Sequence, residues 1–287
     1  MLDSKYSLTT ERISEAAGRI RKYGFVVIKQ AVPHDLLDIL RDRMDRDTEE
    51  LLDYCKSIGG NPRERGHLQQ GPPPTRDFVF KDVAMNSWVT RVCDSLFGKG
   101  AMLTFYNGNT NCPGSIYQRL HMDDRPAQQP NEEPPPTRDV VINISPADAN
   151  ESNGAVQLWP GSHQEAPAAG LGHIQAPQEQ ARQASDPPIQ AITSKGDVLI
   201  RDVRLWHRGV PNPSNKPRHM IALVISSKAG NWAKGKLKFE HGCESALEGN
   251  SILSNAEYVD SVGDYLIGPS RRIYENRLKQ ESKSASA

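Results

Sequence analysis

Two histidines and one aspartate have the residue types and the spacing of a transition-metal site. His121 and Asp123 are two positions apart in a segment that we expect to be an extended strand, and His207 follows 84 positions after Asp123. Side chains at positions i and i+2 of a strand point to the same face, so His121 and Asp123 are expected to bind one ion together. With His207 as third ligand, two imidazoles and one carboxylate suit non-haem Fe(II) and leave three octahedral positions open for a co-substrate and O₂.

An arginine follows this set at a distance that suits an anionic co-substrate. Arg218 comes eleven positions after His207, beyond a Pro- and Asn-rich segment, 210–217, that predicts a reversal of the chain. We therefore expect Arg218 on a strand next to the one that carries His207. Its planar guanidinium matches a carboxylate with two hydrogen bonds, as the far carboxylate of a metal-chelating 2-oxoglutarate would require.

Bulk composition excludes several classes of function. The 287 residues contain 35 basic and 35 acidic side chains, so no electrostatic signature of nucleic-acid binding is present. No apolar run approaches the length of a membrane span, and the first residues lack the apolar centre of a signal peptide. The four cysteines are scattered and are expected to be reduced and mostly buried. A cytoplasmic monomer or homodimer with a small-molecule substrate is the expectation.

Hydrophobic periodicity divides the chain into three parts within one predicted domain, 1–287. A helical part covers about 1–100, a β-rich core about 101–227 and a helical tail 228–287. Helices are predicted from Thr10 to Gly24, after Pro33, near 47–57, at 86–97, and in the tail at 254–266 and 270–280. Strands are predicted at 25–28, 102–106, 116–122, 138–144, 154–159, 189–193, 197–201 and 218–226. Short strands separated by turn residues favour a mainly β fold, a jelly roll with N-terminal helices packed on the barrel.

Two long connections stand out in this pattern. Residues 124–137 follow the predicted metal-binding strand and carry five prolines, and residues 163–188 are rich in Ala, Gln and Pro. Each is either a disordered surface insertion or a lid over the site, and the pattern does not decide between them.

Three blocks of sequence resemble the phytanoyl-CoA dioxygenase family of Fe(II)/2-oxoglutarate-dependent oxygenases. The first is 118–123, the second runs from 149 to 156 and continues into Pro-Gly-Ser-His at 160–163, and the third joins 196–200 to His207, Asn212, Ser214 and Arg218. The opening strand, 24–28, is similar as well. The likeness spans roughly residues 20 to 227. Ile144-Ser145-Pro146 departs from the Leu-Asp-Asp found in many relatives, which puts contacts to the substrate in doubt.

The resemblance implies a double-stranded β-helix of the cupin-like type and assigns roles to matching positions. His121, Asp123 and His207 would bind Fe(II), and Arg218 would bind 2-oxoglutarate, with Gln118 and Asn143 as further co-substrate contacts. O₂ would be the oxidant of a small organic substrate, by hydroxylation, desaturation, epoxidation or cyclisation, with secondary metabolism as the expected setting. The carboxylate of Asp123 argues against halogenation, since halogenating relatives have a small residue there.

Two other functions remain open at this level. One is a catalytically silent jelly roll that binds a ligand or partner, and the other is a metal-dependent barrel enzyme that does not use 2-oxoglutarate. Among the remaining histidines, His163, His173, His219 and His241 are interpreted as structural or surface residues. His67 and Gln69, in a loop flanked by Gly and Pro, are candidates for contact with substrate. Trp206 is expected to face the core.

Overall fold

The computed structural model describes residues 1–3, 8–59, 66–123, 136–165, 173–228, 235–268 and 271. Its α-helices are α1 (Thr10–Tyr23), α2 (His34–Ser57), α3 (Lys81–Ala84), α4 (Ser87–Phe97), α5 (Ala176–Ser185) and α6 (Glu244–Leu247). Among these helices, none combines the length and the apolar character that crossing a bilayer requires.

The first helix forms for the reasons that the sequence indicates. Ile13, Ala16, Ala17 and Ile20 recur at helical spacing and are buried. Thr9 caps the N-terminus with its side chain, which accepts a hydrogen bond from the Arg12 backbone N–H. Gly24 ends the helix at φ 83°, a conformation that glycine adopts without strain. The predicted helix is confirmed.

The helix predicted after Pro33 and the helix predicted near 47–57 are one continuous helix, α2, so their separation was predicted wrongly. Its middle carries two buried polar residues, Asp47 and Thr48, which broke the apolar pattern. Both are satisfied in the folded chain. Arg43 donates to Asp47 at 2.8 Å, and Thr48 donates its hydroxyl to the Met44 carbonyl at 2.8 Å. Helix 86–97 is confirmed, with Asn86 as its N-cap.

The described strands form a large sheet, a small sheet and a separate pair. In chain order they are β1 (Leu2–Asp3), β2 (Phe25–Lys29), β3 (His67–Gln69), β4 (Met102–Asn111), β5 (Asp139–Ile144), β6 (Gln157–Leu158), β7 (Ile189–Gln190), β8 (Val198–Asp202), β9 (His207–Arg208), β10 (Arg218–Ser226), β11 (Leu237–Glu240), β12 (Leu253–Ser254) and β13 (Ala256–Val259). The eight-stranded sheet has the order β1-β2-β8-β5-β10-β4-β12, with β3 also paired to β4. The three-stranded sheet has the order β7-β6-β9, and β11 pairs with β13 apart from both.

Alternation along the central strands gives the large sheet two different faces. On β10, Ile221, Leu223 and Ile225 belong to the main hydrophobic core, which also includes residues of α1, α2 and α4. The residues between them point into a cavity that lies between the large and the small sheet. The helices therefore cover one face of the large sheet and leave the other for a functional site. The described sheets are not joined into a closed barrel.

Several predicted strands and loops need correction. Strand 116–122 is wrong, since only His121 makes an isolated bridge there. The predicted strands 154–159 and 189–193 are only two residues long in the structure, as β6 and β7. The connection 163–188 contains a helix, α5. The predicted tail helix at 254–266 is wrong, because 256–259 is a strand that pairs with β11. Residues 124–135 and most of the predicted helix 270–280 lie outside the described residues.

Candidate active site

The three predicted metal ligands meet where a loop runs beside β9. His121 and His207 exchange backbone hydrogen bonds, with N···O distances of 3.1 and 3.0 Å, and Asp123 donates its backbone N–H to the Val203 carbonyl at 2.9 Å. Upstream, Gln118 donates to the Gly209 carbonyl. Along the two segments, the pairs Gln118–Gly209, His121–His207 and Asp123–Val203 do not keep one register, so no regular β-ladder forms. This irregularity explains why the predicted strand is absent although its ligands come together.

The donor atoms of these residues are close enough to share one ion. One ligand atom from each of His121, Asp123 and His207 lies within 4.8 Å of the other two. Oδ1 of Asp123 is 3.4 Å from Nε2 of His207 and 3.9 Å from Nε2 of His121. Two ligand atoms about 2.1 Å from a common ion and at right angles would lie about 3 Å apart. The donor set and its separations therefore fit a single ion with a small inward adjustment.

Backbone carbonyls hold both imidazole rings in the orientation that ligation needs. Nδ1 of His121 lies 2.8 Å from the Arg119 carbonyl oxygen, and Nδ1 of His207 lies 2.9 Å from that of Leu205. A carbonyl accepts only, so each Nδ1 carries the proton and each Nε2 keeps its lone pair. Partners of this kind fix the tautomer and the ring direction of metal-binding histidines.

Burial and neighbouring charges give both kinds of ligand the required protonation state. Burial, together with the adjacent His207, lowers the pKa of His121 to about 3, so its ring is neutral at pH 7. Burial alone would raise the pKa of Asp123, but the Arg201 guanidinium and His207 reverse this and hold it well below its ordinary value. Asp123 is therefore an anion.

Arg218 is a buried cation that has no anionic partner among the described residues. It begins β10, is 6% exposed and lines the cavity. Its Nε makes no hydrogen bond there, and burial lowers its pKa to about 10. A guanidinium is rarely left unpaired in the interior, since burying a charge is costly without a partner. Arg218 is therefore suited to bind an anion that enters the cavity.

The cavity has a volume of about 440 Å³ and extends along β10. Near Arg218, polar side chains line it, namely His67, Gln69, Asn109, Asn111 and Gln118. The opposite end, toward Ser226, is lined by Thr104, Phe105, Asp139, Val141 and Val224. A register shift opposite Val224/Ile225 inserts one extra residue into β4, so that Thr104 and Phe105 both line the cavity. The three predicted ligands also line the cavity, as do Arg201, Val203 and Gly209.

Gln118 and Asn143 both line this cavity, but other protein groups already hold part of each side chain. Oε1 of Gln118 accepts a hydrogen bond from the Gly209 backbone N–H at 2.8 Å. Oδ1 of Asn143 accepts one from Nε of Arg201 at 3.0 Å, and its Nδ2 has no partner in the described part of the chain. Their contact with a co-substrate stays a prediction. His67 and Gln69, predicted as contacts of the substrate, lie at the Arg218 end of the cavity.

One predicted relation between the site strands is wrong. Arg218 is not on a strand next to that of His207, because β10 pairs with β4 and β5 whereas β9 pairs with β6. The two residues face each other from different sheets, so the turn at 210–217 carries the chain across the cavity. Trp206 is in the core, as predicted, beside Trp159. The four cysteines are buried, in agreement with the prediction that most of them would be.

The sequence analysis missed Arg201 and Gly209. Arg201 lies 2.7 Å from Asp123, and Gly209 has no room for a side chain against His67 and Gln118. A charged residue directly after the apolar run 198–200, in the same predicted strand, was the available signal for Arg201, since such a residue needs a buried partner.

Comparison with known proteins agrees with this fold and site. The family model described as phytanoyl-CoA dioxygenase (PhyH) matches residues 20–220. The iron/alpha-ketoglutarate-dependent dioxygenase ausU of Aspergillus calidoustus is 25% identical over 215 residues, which cover 71% of this chain and 67% of that protein.

Two solved structures show the same fold at low sequence identity. AviO1 from Streptomyces viridochromogenes Tue57 superposes with a TM-score of 0.53 at 20% identity and covers 79% of this chain and 99% of its own. The non-heme alpha ketoglutarate dependent carbocyclase SnoK from nogalamycin biosynthesis gives 0.57 at 17% identity, with 80% and 88% covered. The predicted fold class, a mainly β jelly roll of the cupin-like type with helices on it, is thereby confirmed.

The fold and the family match define the class as non-haem iron oxygenases that use a 2-oxo acid. The chain belongs to the phytanoyl-CoA dioxygenase family. It is accordingly an oxidoreductase with Fe(II) as cofactor and 2-oxoglutarate and O₂ as co-substrates.

Proposed function

We propose that this oxygenase oxidises a small organic molecule in the cavity between the two sheets. His121, Asp123 and His207 bind the iron, and Arg218 binds the far carboxylate of 2-oxoglutarate. The observation that carries this assignment is the combination, in one cavity, of a His-Asp-His group and a buried arginine without an anionic partner among the described residues. Neither feature by itself would specify a dicarboxylate co-substrate.

When bound, iron and 2-oxoglutarate would supply an oxidation by O₂ in which the 2-oxo acid becomes succinate and CO₂. One oxygen atom of O₂ would enter the succinate, and the other would enter the substrate on hydroxylation or leave as water with two hydrogen atoms of the substrate. The chain contributes position and protonation state. The Arg119 and Leu205 carbonyls fix the two Nε2 atoms toward the ion. Arg218 would hold the far carboxylate of the 2-oxo acid with its guanidinium.

The remaining space accommodates the substrate. Val141, Val203, Ala222 and Val224 form an apolar cluster on the cavity walls beside the ligands. Apolar walls hold an organic substrate next to the ion and exclude water from the reaction. We propose hydroxylation as the default outcome; desaturation, epoxidation or cyclisation would use the same residues. We also propose that the chain is a single domain that acts in secondary metabolism, as SnoK does in nogalamycin biosynthesis.

The test is succinate release from the purified protein with and without Fe(II) and 2-oxoglutarate. His121→Ala, Asp123→Ala and His207→Ala should each reduce the rate at least a hundred-fold, because each removes one of three protein ligands. His241→Ala is the matched control, since His241 is exposed and lies outside the cavity. Turnover that persists in all three ligand variants would contradict the assignment.

A further inference from the structure

Asp123 has two oxygen atoms, and each has a different neighbour. Oδ1 faces Nε2 of His207 at 3.4 Å and Nε2 of His121 at 3.9 Å. Oδ2 lies 2.7 Å from Nη2 of Arg201. One oxygen is thus directed to the ion position, whereas the other is held by a guanidinium.

Arg201 is itself held firmly. It lies in β8, paired with β2 and β5, and is 4% exposed. Its Nε donates to Oδ1 of Asn143 on β5 at 3.0 Å. Val198 and Ile200 on the same strand belong to the main core, so the alternation of the strand directs Arg201 to the cavity face. An apolar residue would be ordinary at such a doubly buried position, and Arg201 is accommodated there by its contacts with Asp123 and Asn143.

We propose that Arg201, aligned by Asn143, is a positioning residue that restricts Asp123 to binding the ion through a single oxygen. Carboxylates bind metal ions through one or both oxygens. A charge-assisted hydrogen bond to Oδ2 favours the first mode, because bidentate binding would break it. The inference rests on the proposed ligand set.

The consequence follows from the number of coordination positions. Three protein donor atoms leave three positions of an octahedron, of which the chelating 2-oxo acid takes two and O₂ needs the third. If Asp123 bound through both oxygens, the protein and 2-oxoglutarate would fill all six. Arg201 therefore keeps open the position on which reaction with O₂ depends.

The test uses nitric oxide, which occupies the O₂ position and gives an electron paramagnetic resonance signal with Fe(II). Wild type and Arg201→Met are loaded anaerobically with Fe(II) and 2-oxoglutarate and titrated with nitric oxide. Arg201→Met should bind Fe(II) and 2-oxoglutarate within ten-fold of wild type. Its nitric oxide affinity should fall at least ten-fold and its succinate release at least a hundred-fold. Wild-type protein that binds no Fe(II) would instead refute the ligand set itself.

Arg204→Met is the matched control. Arg204 is also a buried arginine on a carboxylate, 2.7 Å from Asp202, but it does not line the cavity. Its loss should leave nitric oxide affinity unchanged in folded protein. Asn143→Leu keeps Arg201 but removes the hydrogen bond that aligns it, so this variant should bind nitric oxide about three-fold more weakly. It tests the proposal if Arg201→Met does not fold.

Two results would overturn the proposal. The first is a nitric oxide affinity of folded Arg201→Met that equals that of the wild type. If only Asn143→Leu folds, the same result in that variant would overturn the proposal. The other is a loss of Fe(II) affinity greater than ten-fold in Arg201→Met, which would mean that Arg201 is needed to bind the ion rather than to limit the carboxylate to one oxygen.

Discussion

Replacing Arg218 with methionine is expected to weaken 2-oxoglutarate binding while leaving the ligand-free protein at least as stable as the wild type. Burial lowers the pKa of this guanidinium from its ordinary value to about 10. At about 1.4 kcal/mol per pKa unit, carrying the unpaired charge costs the ligand-free fold about 3 kcal/mol, to order of magnitude. Methionine has a similar length and no charge, and such exchanges of buried ionic groups are often neutral or stabilising.

The charge of Arg218 is expected to stabilise the complex of the protein with 2-oxoglutarate. Removing one partner of a buried, hydrogen-bonded charge pair costs about 2–5 kcal/mol, which corresponds to roughly 30-fold or more in the dissociation constant. We expect Arg218→Met to raise the 2-oxoglutarate dissociation constant about 100-fold, as measured by calorimetry on Mn(II)-loaded protein, and to raise the Tm of the ligand-free protein by a few degrees.

Arg208→Met is the control for this experiment. Arg208 is bound to Glu179 and Gln157, each at 2.8 Å, and lies outside the cavity lining. This variant should bind 2-oxoglutarate as wild type does. A dissociation constant within three-fold of wild type in Arg218→Met would refute the reasoning, because the distal carboxylate would then have another partner.

Two further predictions concern the cavity and the ligands. A Cβ on Gly209 would lie 2.4 Å from Cε1 of His67 and 2.8 Å from Oε1 of Gln118, so Gly209→Ala should raise the KM for 2-oxoglutarate about ten-fold. Gly18→Ala is the control, because Gly18 has open space around it. An unchanged KM in Gly209→Ala would contradict the prediction. In metal-free protein, the pKa of His121 is lowered to about 3, so the unfolded state binds more protons between about pH 3 and 6.5 and folding stability is lost as pH falls through this range. When the pH falls from 7.5 to 5.5, His121 should lower the free energy of unfolding, measured with urea, by about 1.4 kcal/mol. The His121→Asn variant lacks this group and should lose correspondingly less stability. An equal loss in wild type and His121→Asn would contradict the prediction.

The ligand set was predictable because it depends on residue type more than on backbone geometry. His121, Asp123 and His207 come together although the strand expected to carry the first two is absent. Hydrogen bonds to residues 203–209 replace the ladder and hold the same side chains. The i, i+2 argument therefore predicted that these side chains would lie together, although the local structure it assumed is absent.

Relations between distant segments were not predictable from the sequence. The contact between Arg201 and Asp123 depends on the position of β8 next to β5 and on the backbone hydrogen bond that holds Asp123 beside Val203. No local pattern encodes that arrangement. The continuity of α2 likewise depends on the tail, since Tyr265 donates its hydroxyl to Asp47, 218 positions away. The apolar periodicity of α1 and the glycine that ends it are local and were predicted correctly, whereas the pairing of strands and the partners of buried charges depend on tertiary structure.

The most direct test of the proposed metal centre is an anaerobic crystal structure of the protein with Mn(II) and 2-oxoglutarate. We predict one ion within about 2.3 Å of Nε2 of His121, Nε2 of His207 and the carboxylate of Asp123. The far carboxylate of 2-oxoglutarate should contact Arg218. An ion bound by other residues, or 2-oxoglutarate bound away from Arg218, would contradict the proposal.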